Sequence, residues 1–152
     1  MFVGCFGLGV LVAFACDAQD RFMRDLLVLS PGSQNGGIYA NKSGYHNTRD
    51  NHLASRPNDY SIRDAVDREG PGDKAAAYDW TFPDAQSGRF ETIARFMSRI
   101  VASGRDVDDP RLNGWREFYG QADGDREVEG WDSRYLVPVT SDSSHLWHIH
   151  MS

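Results

Sequence analysis

In the stretch LWHIHM, Leu146–Met151, bulky apolar residues alternate strictly with histidines from Trp147 onward. Side chains along a strand point to opposite faces in turn, so Trp147, Ile149 and Met151 share one side and His148 and His150 the other. The apolar side is expected to face a core. The two imidazoles are then free to converge on one small object. His145 precedes them, so three of the chain's five histidines fall within six residues. Only two residues follow His150. Because chain ends fray, a site built here needs this strand to be paired into a sheet.

Neutral imidazole is a frequent ligand of zinc, which takes N, O or S donors at about 2 Å in a tetrahedral array. A catalytic zinc needs three protein ligands and one open position. The two cysteines, Cys5 and Cys16, both lie in the first sixteen residues. The body of the chain therefore has to supply His, Asp or Glu.

Further upstream, AAAYDWTF (Ala75–Phe82) looks helical by its alanines, yet Tyr78, Trp80 and Phe82 alternate with Ala77, Asp79 and Thr81. Period two with aromatics predicts a strand, with Asp79 on the less bulky face and Pro83 ending it. The clearest helix is SGRFETIARFMSRIVASG, with Ser87 as N-cap and Gly104 as the residue past its end. Phe90, Ile93, Ala94, Met97, Ile100 and Val101 recur at helical spacing, which makes it a scaffold element rather than a site. YLVPVT (Tyr135–Thr140) contains Pro138 and is expected at a sheet edge. Between these elements, DVDDPRLNGWREFYGQADGDREVEGWDSRY is turn-rich and acidic. Asp123 and Asp125 are spaced somewhat like calcium ligands, but no complete twelve-residue loop with its closing Glu can be drawn, and solvated charge explains them. DLLVLS (Asp25–Ser30) is a short apolar stretch, PGSQNGG (Pro31–Gly37) a turn cluster, and the next thirty-odd residues are polar and irregular.

These patterns describe an α+β domain: a small antiparallel sheet with flanking helices and long loops. At 152 residues the chain is expected to form one domain over residues 23–152, behind an apolar extension of residues 1–22. That extension is too short for a comfortable membrane span. Its small residues before Cys16 suggest a signal or lipoprotein cleavage site, whereas the lack of Lys or Arg ahead of the apolar run argues against one; a third reading starts translation at Met23. The formal net charge of −6 and the absence of any basic run argue against nucleic acid as partner. A monomer is expected.

HLWHIH (His145–His150) is similar to the His-x-x-His-x-His signature of the penicillin-insensitive murein endopeptidases. These belong to a wider group of zinc peptidases that includes lysostaphin-type enzymes, D-Ala-D-Ala carboxypeptidases and the hedgehog signalling domain. The resemblance implies a hedgehog/DD-peptidase-like fold, with His150 as a zinc ligand, His148 as catalytic partner and His145 as a supporting residue. In the group, an upstream Ser-x-His-x-x-Gly-x-Ala-x-Asp completes the metal site. Here SGYH (Ser43–His46) resembles its start and AAAYD its end, with about thirty residues between them. That nominates His46 and Asp79. A rival pair, His52 and Asp59, keeps the seven-residue separation in HLASRPND but lacks the small residues and carries Pro57. In the carboxypeptidase branch an Asp or Glu stands three residues before the last ligand. Trp147 occupies that place here, which moves the role of base onto His148 and leaves Asp142 to orient an imidazole.

GIYANKSGYHNTR, DKAAAYDWTF and SDSSHLWHIH together also look like a set of uncharacterised actinobacterial and phage proteins. The implied activity is zinc-dependent hydrolysis of a peptide amide in peptidoglycan, by a secreted, wall-associated or phage-encoded endolysin-like protein. Its rivals are a non-catalytic metal-containing or peptidoglycan-binding module of the same fold, and a histidine-dependent nuclease suggested by HNTRDNH. Net acidity and the lack of a ββα metal finger weigh against the nuclease.

Overall fold

Hydrophobic alternation places its strands at the centre of a sheet in the computed structural model, which describes residues 14–39 and 42–152. The elements, in order, are β1 (Phe14–Ala15), α1 (Asp17–Leu29), β2 (Gln34–Gly37), α2 (Arg49–Ser55), β3 (Lys74–Ala75), β4 (Tyr78–Thr81), α3 (Pro83–Gln86), α4 (Glu91–Arg105), β5 (Glu117–Gly120), β6 (Glu129–Asp132), β7 (Val137–Val139) and β8 (His148–Met151). Six strands form one antiparallel sheet in the order β2-β4-β8-β5-β6-β7, and β1 pairs with β3 in a small parallel ladder. The protein is thus a mixed α+β fold, with four α-helices among the described residues.

The histidine-bearing strand β8 is paired on both sides, to β4 and to β5. Beyond it, the Ser152 N–H donates to Glu117 O at 3.0 Å and Ser152 O accepts from Arg116 N–H at 2.6 Å. The pairing that a site near this end requires is therefore present.

One face of the sheet carries the core. Tyr78, Trp80, Phe118, Ile149 and Met151 pack with Met23 and Leu26 of α1 and with Ile93, Met97 and Val101 of α4. Burying each of the larger aliphatic side chains stabilises the fold by about 1.5–3 kcal/mol relative to leaving it exposed. Trp147 departs from its expected place beside Ile149. It ends a 3-10 turn, Ser143–Leu146, and is only half-buried at the margin of the core.

The helix caps also differ from expectation. Ser87 closes the short α3, and α4 begins at Glu91 without a side-chain cap. Gly104 lies inside α4 rather than past it. A Cβ there would come within 2.5 Å of Phe118 Cζ and 2.9 Å of Trp131 Cδ1, so its role is close approach of helix to sheet. Two strands, β5 and β6, emerge from the segment expected to be turns, and β2 from the PGSQNGG cluster. DLLVLS forms the end of α1, which runs without a break across position 22/23, so the boundary expected there falls within a helix. Cys5 and the apolar run up to Ala13 lie outside the described residues. β7 does occupy the sheet edge, as its proline requires. No described helix is long and apolar enough to cross a membrane.

Candidate metal centre

The second face of the sheet is covered by the long loops, and it holds the polar cluster. Register sets the first two members. Asp79 on β4 stands opposite His150 on β8, and Thr81 opposite His148. Directly opposed residues of an antiparallel pair point to the same face, so Asp79, His150 and His148 are gathered by backbone pairing alone. The core residues between them, Trp80 and Ile149, anchor that register by facing the other way.

His46 arrives from the irregular region. Its loop is tied to the sheet by the Ala76 N–H donating to Tyr45 O at 2.9 Å. Asn47 then stitches the turn together, accepting from the Thr48 N–H and the Asn51 side chain, each at 2.9 Å. The thirty-residue gap between His46 and Asp79 is closed in this way, as a loop folded back over the ligand face.

The rival pair has a different task. His52 is fully buried, with Nε2 bonded to Gly44 O at 2.9 Å and Nδ1 3.7 Å from Asp59 Oδ2. Asp59 accepts from the Gly44 N–H at 3.1 Å and caps the 3-10 turn Tyr60–Ile62 through the Ser61 N–H. Gly44 has φ +78°, a left-handed conformation that glycine alone adopts without strain, and a Cβ there would lie 2.5 Å from the Tyr60 hydroxyl. His52 and Asp59 thus grip both polar groups of the glycine two residues before His46. They brace the loop and stand apart from the cluster.

Three ligating atoms form a near-equilateral triangle. His46 Nε2 lies 3.0 Å from Asp79 Oδ1, His150 Nδ1 lies 3.1 Å from His46 Nε2, and His150 Nδ1 lies 3.2 Å from Asp79 Oδ1. All three residues are buried. Hydrogen bonds alone cannot satisfy this triangle. With a proton on each facing nitrogen, two N–H groups oppose each other. With a proton on only one, the other nitrogen's lone pair faces the carboxylate. A cation between the three turns every edge favourable. Tetrahedral zinc with bonds of 2.0–2.1 Å separates its ligands by about 3.3 Å, close to the observed edges. The donor set of two imidazoles and one carboxylate is one that zinc accepts.

Electrostatics favour the ligating forms. Burial pushes the Asp79 carboxyl up, but hydrogen bonds from His150 and His46, with the charges of His46 and His148, outweigh it and hold the group well below the usual carboxylate range. Burial pushes His150 below the ordinary imidazole value, against the opposing hydrogen bond to Asp79. His148 is pushed down to about 4 by burial, opposed by the Asp79 charge. At neutral pH these two rings carry a free lone pair.

Around the triangle, His148 Nε2 lies 3.6 Å from Asp79 Oδ1. The His145 ring packs against His148 at a tilt of 47°, with centroids 4.6 Å apart, and its Nδ1 meets Asp142 O at 3.2 Å. The Asp142 carboxylate is spent on the Ser144 N–H at 2.8 Å, capping the 3-10 turn that carries His145. Asp142 therefore touches the imidazole through its backbone oxygen, with its carboxylate further away at 3.7 Å.

Tyr119 is a neighbour that the sequence reading passed over. It stands opposite His150 on β5, its ring 5.8 Å from the His150 ring and 5.5 Å from that of His145. The period-two run Glu117-Phe118-Tyr119 carried that signal within a segment read as turns. Away from this face, Asp123, Asp125 and Glu129 approach one another. Asp123 and Asp125 are exposed, and all three accept from backbone N–H groups of their own loop.

No family model, curated protein or solved structure matches the chain.

Proposed function

We propose that this protein is a zinc-dependent hydrolase of peptide amide bonds, of the hedgehog/DD-peptidase-like group, acting on the peptides of peptidoglycan. The observation that carries the reading is the buried His46–Asp79–His150 triangle with a further histidine at its margin. Zinc, when bound, polarises a carbonyl and acidifies water toward a pKa of about 7. His46, Asp79 and His150 hold the ion. His148 lies beside Asp79 and at the open cleft, so it is the group placed to take a proton from water and return it to the leaving amine. His145 supports the His148 ring through a tilted ring contact and is itself held by Asp142. The peptidoglycan substrate comes from the resemblance of His145–His150 to the murein endopeptidase signature.

A second reading is a metal-containing or peptidoglycan-binding module without turnover. The observation in its favour is that, among the described residues, Asp79 is the one carboxylate lining the cleft. Incubating zinc-loaded protein with purified peptidoglycan distinguishes the two. The hydrolase releases new amines, and chelation abolishes the release; full zinc occupancy with no amine released establishes the binding module.

A further inference from the structure

Beside the triangle, meeting it at Asp79, lies a polar cavity of about 320 Å³, lined among others by Asn35, Thr81, Asp79, His148 and Lys42. Lys42 is the one cationic residue of that lining, and no carboxylate among the described residues pairs with it. Lys42 is an exposed residue, oriented by its neighbours. The ammonium sits over the Tyr39 ring, 4.6 Å from the centroid. Tyr39 is fixed by donating its hydroxyl proton to Gly36 O at 2.7 Å, and its ring packs edge-on against His46 at 5.3 Å. The backbone beneath is held too: Lys42 O accepts from the Asn47 side chain at 3.2 Å and from Arg56 at 2.7 Å. The ammonium therefore lies within about 10 Å of the His46 ring.

Charge adds to this geometry. The chain as a whole is at −6, yet a divalent ion on Asp79 together with Lys42 leaves this cavity net positive. An acidic protein with a cationic cleft repels anions everywhere except where it uses them.

We propose that Lys42 is a specificity-determining residue that binds a carboxylate of the peptide in this cleft. The favoured substrates then carry a negative charge within about three residues of the cleaved amide, at roughly 3.3–3.6 Å of extended chain per residue. This rests on the hydrolase reading above. The carboxylate is either the peptide's own terminus or an acidic side chain.

The test is equilibrium binding to the zinc-loaded full chain, by calorimetry, of three acetylated peptides: one ending in D-Ala-D-Ala as the free acid, the same peptide as its carboxamide, and a carboxamide with D-Glu as last residue. The free acid, the D-Glu peptide or both bind about tenfold more tightly than the neutral carboxamide, as expected for a hydrogen bond to a charged group. Which of the two is preferred identifies the source of the carboxylate. Lys42→Gln removes the preference while keeping zinc occupancy, and Lys42→Arg retains it. Equal binding of all three, no binding of any, or an undiminished preference in Lys42→Gln overturns the proposal. Hydrolysis of the same peptides is scored separately. A carboxylate preference without cleavage refutes the hydrolase reading and leaves the Lys42 site standing. Cleavage without the preference does the reverse.

Discussion

Asp79 and His150 stand directly across from each other on β4 and β8, and their Oδ1 and Nδ1 atoms lie 3.2 Å apart. The pairing of two strands thus delivers two members of the triangle, and only His46 depends on a loop. Substituting either strand residue should abolish metal binding without unravelling the sheet, because core burial comes from the opposite face. Asp79→Asn and His150→Ala are expected to reduce bound zinc from near one per chain to near zero by elemental analysis. In the parent protein, zinc at about a hundred times its dissociation constant should add about 2.7 kcal/mol of stability. Thermal unfolding with and without zinc reads this directly, and a parent protein indifferent to zinc would remove the metal centre.

His148 sits beside the triangle without being one of its three closely approaching atoms. His148→Ala is therefore expected to keep its zinc while losing hydrolysis by about 10²- to 10⁴-fold, the usual contribution of a positioned acid–base group. Metal content and amine release measured on one preparation decide it. Unchanged cleavage would remove His148 from the role of base.

Legibility in the sequence followed how local each signal was. The strand His148–Met151 and the Asp79 strand could be read because period-two alternation is written in adjacent residues, and α4 because its apolar residues recur at helical spacing. The caps of α4 could not, since Ser87 was taken up by α3 and Gly104 serves packing against Phe118 and Trp131. Tyr119 was hidden because its membership of the site comes from cross-strand register with His150, a long-range fact. The choice between His46 with Asp79 and His52 with Asp59 was likewise tertiary. The side chains of both pairs are buried, and only the fold shows that one converges with His150 while the other grips Gly44.

That second pair makes its own prediction. His52→Leu fills the space of the ring but takes one of two donors from the buried Gly44 carbonyl, which keeps only the Asn47 N–H at 3.2 Å; this should cost about 0.5–1.5 kcal/mol. Because Gly44 lies two residues before His46, the same change should weaken zinc by about 10- to 100-fold, as is usual when a group orienting a ligand is lost. Denaturant unfolding and zinc titration test the two effects. A loss of stability with unaltered zinc affinity would mean that His46 is positioned independently of this brace.

The last prediction concerns pH and a group outside the triangle. Glu117 is buried on β5, where it accepts from the Tyr60 hydroxyl at 3.2 Å. Burial pushes its carboxyl above the ordinary value, more than the hydrogen bonds of Tyr119 and Tyr60 and the Arg116 charge lower it. The folded state therefore holds this proton more firmly than the unfolded chain does. Its stabilising contribution is complete below the ordinary carboxylate pKa and is lost as pH rises through the raised one. Glu117→Gln mimics the protonated form, so it should be more stable than the parent at neutral pH. The difference should shrink as the pH falls and vanish once the parent's carboxyl is protonated in both states. Melting temperatures of the two proteins across pH 4 to 8 measure the gap; a gap that widens toward acid would reverse the sign and place Glu117 among the carboxylates that the fold stabilises in their charged form.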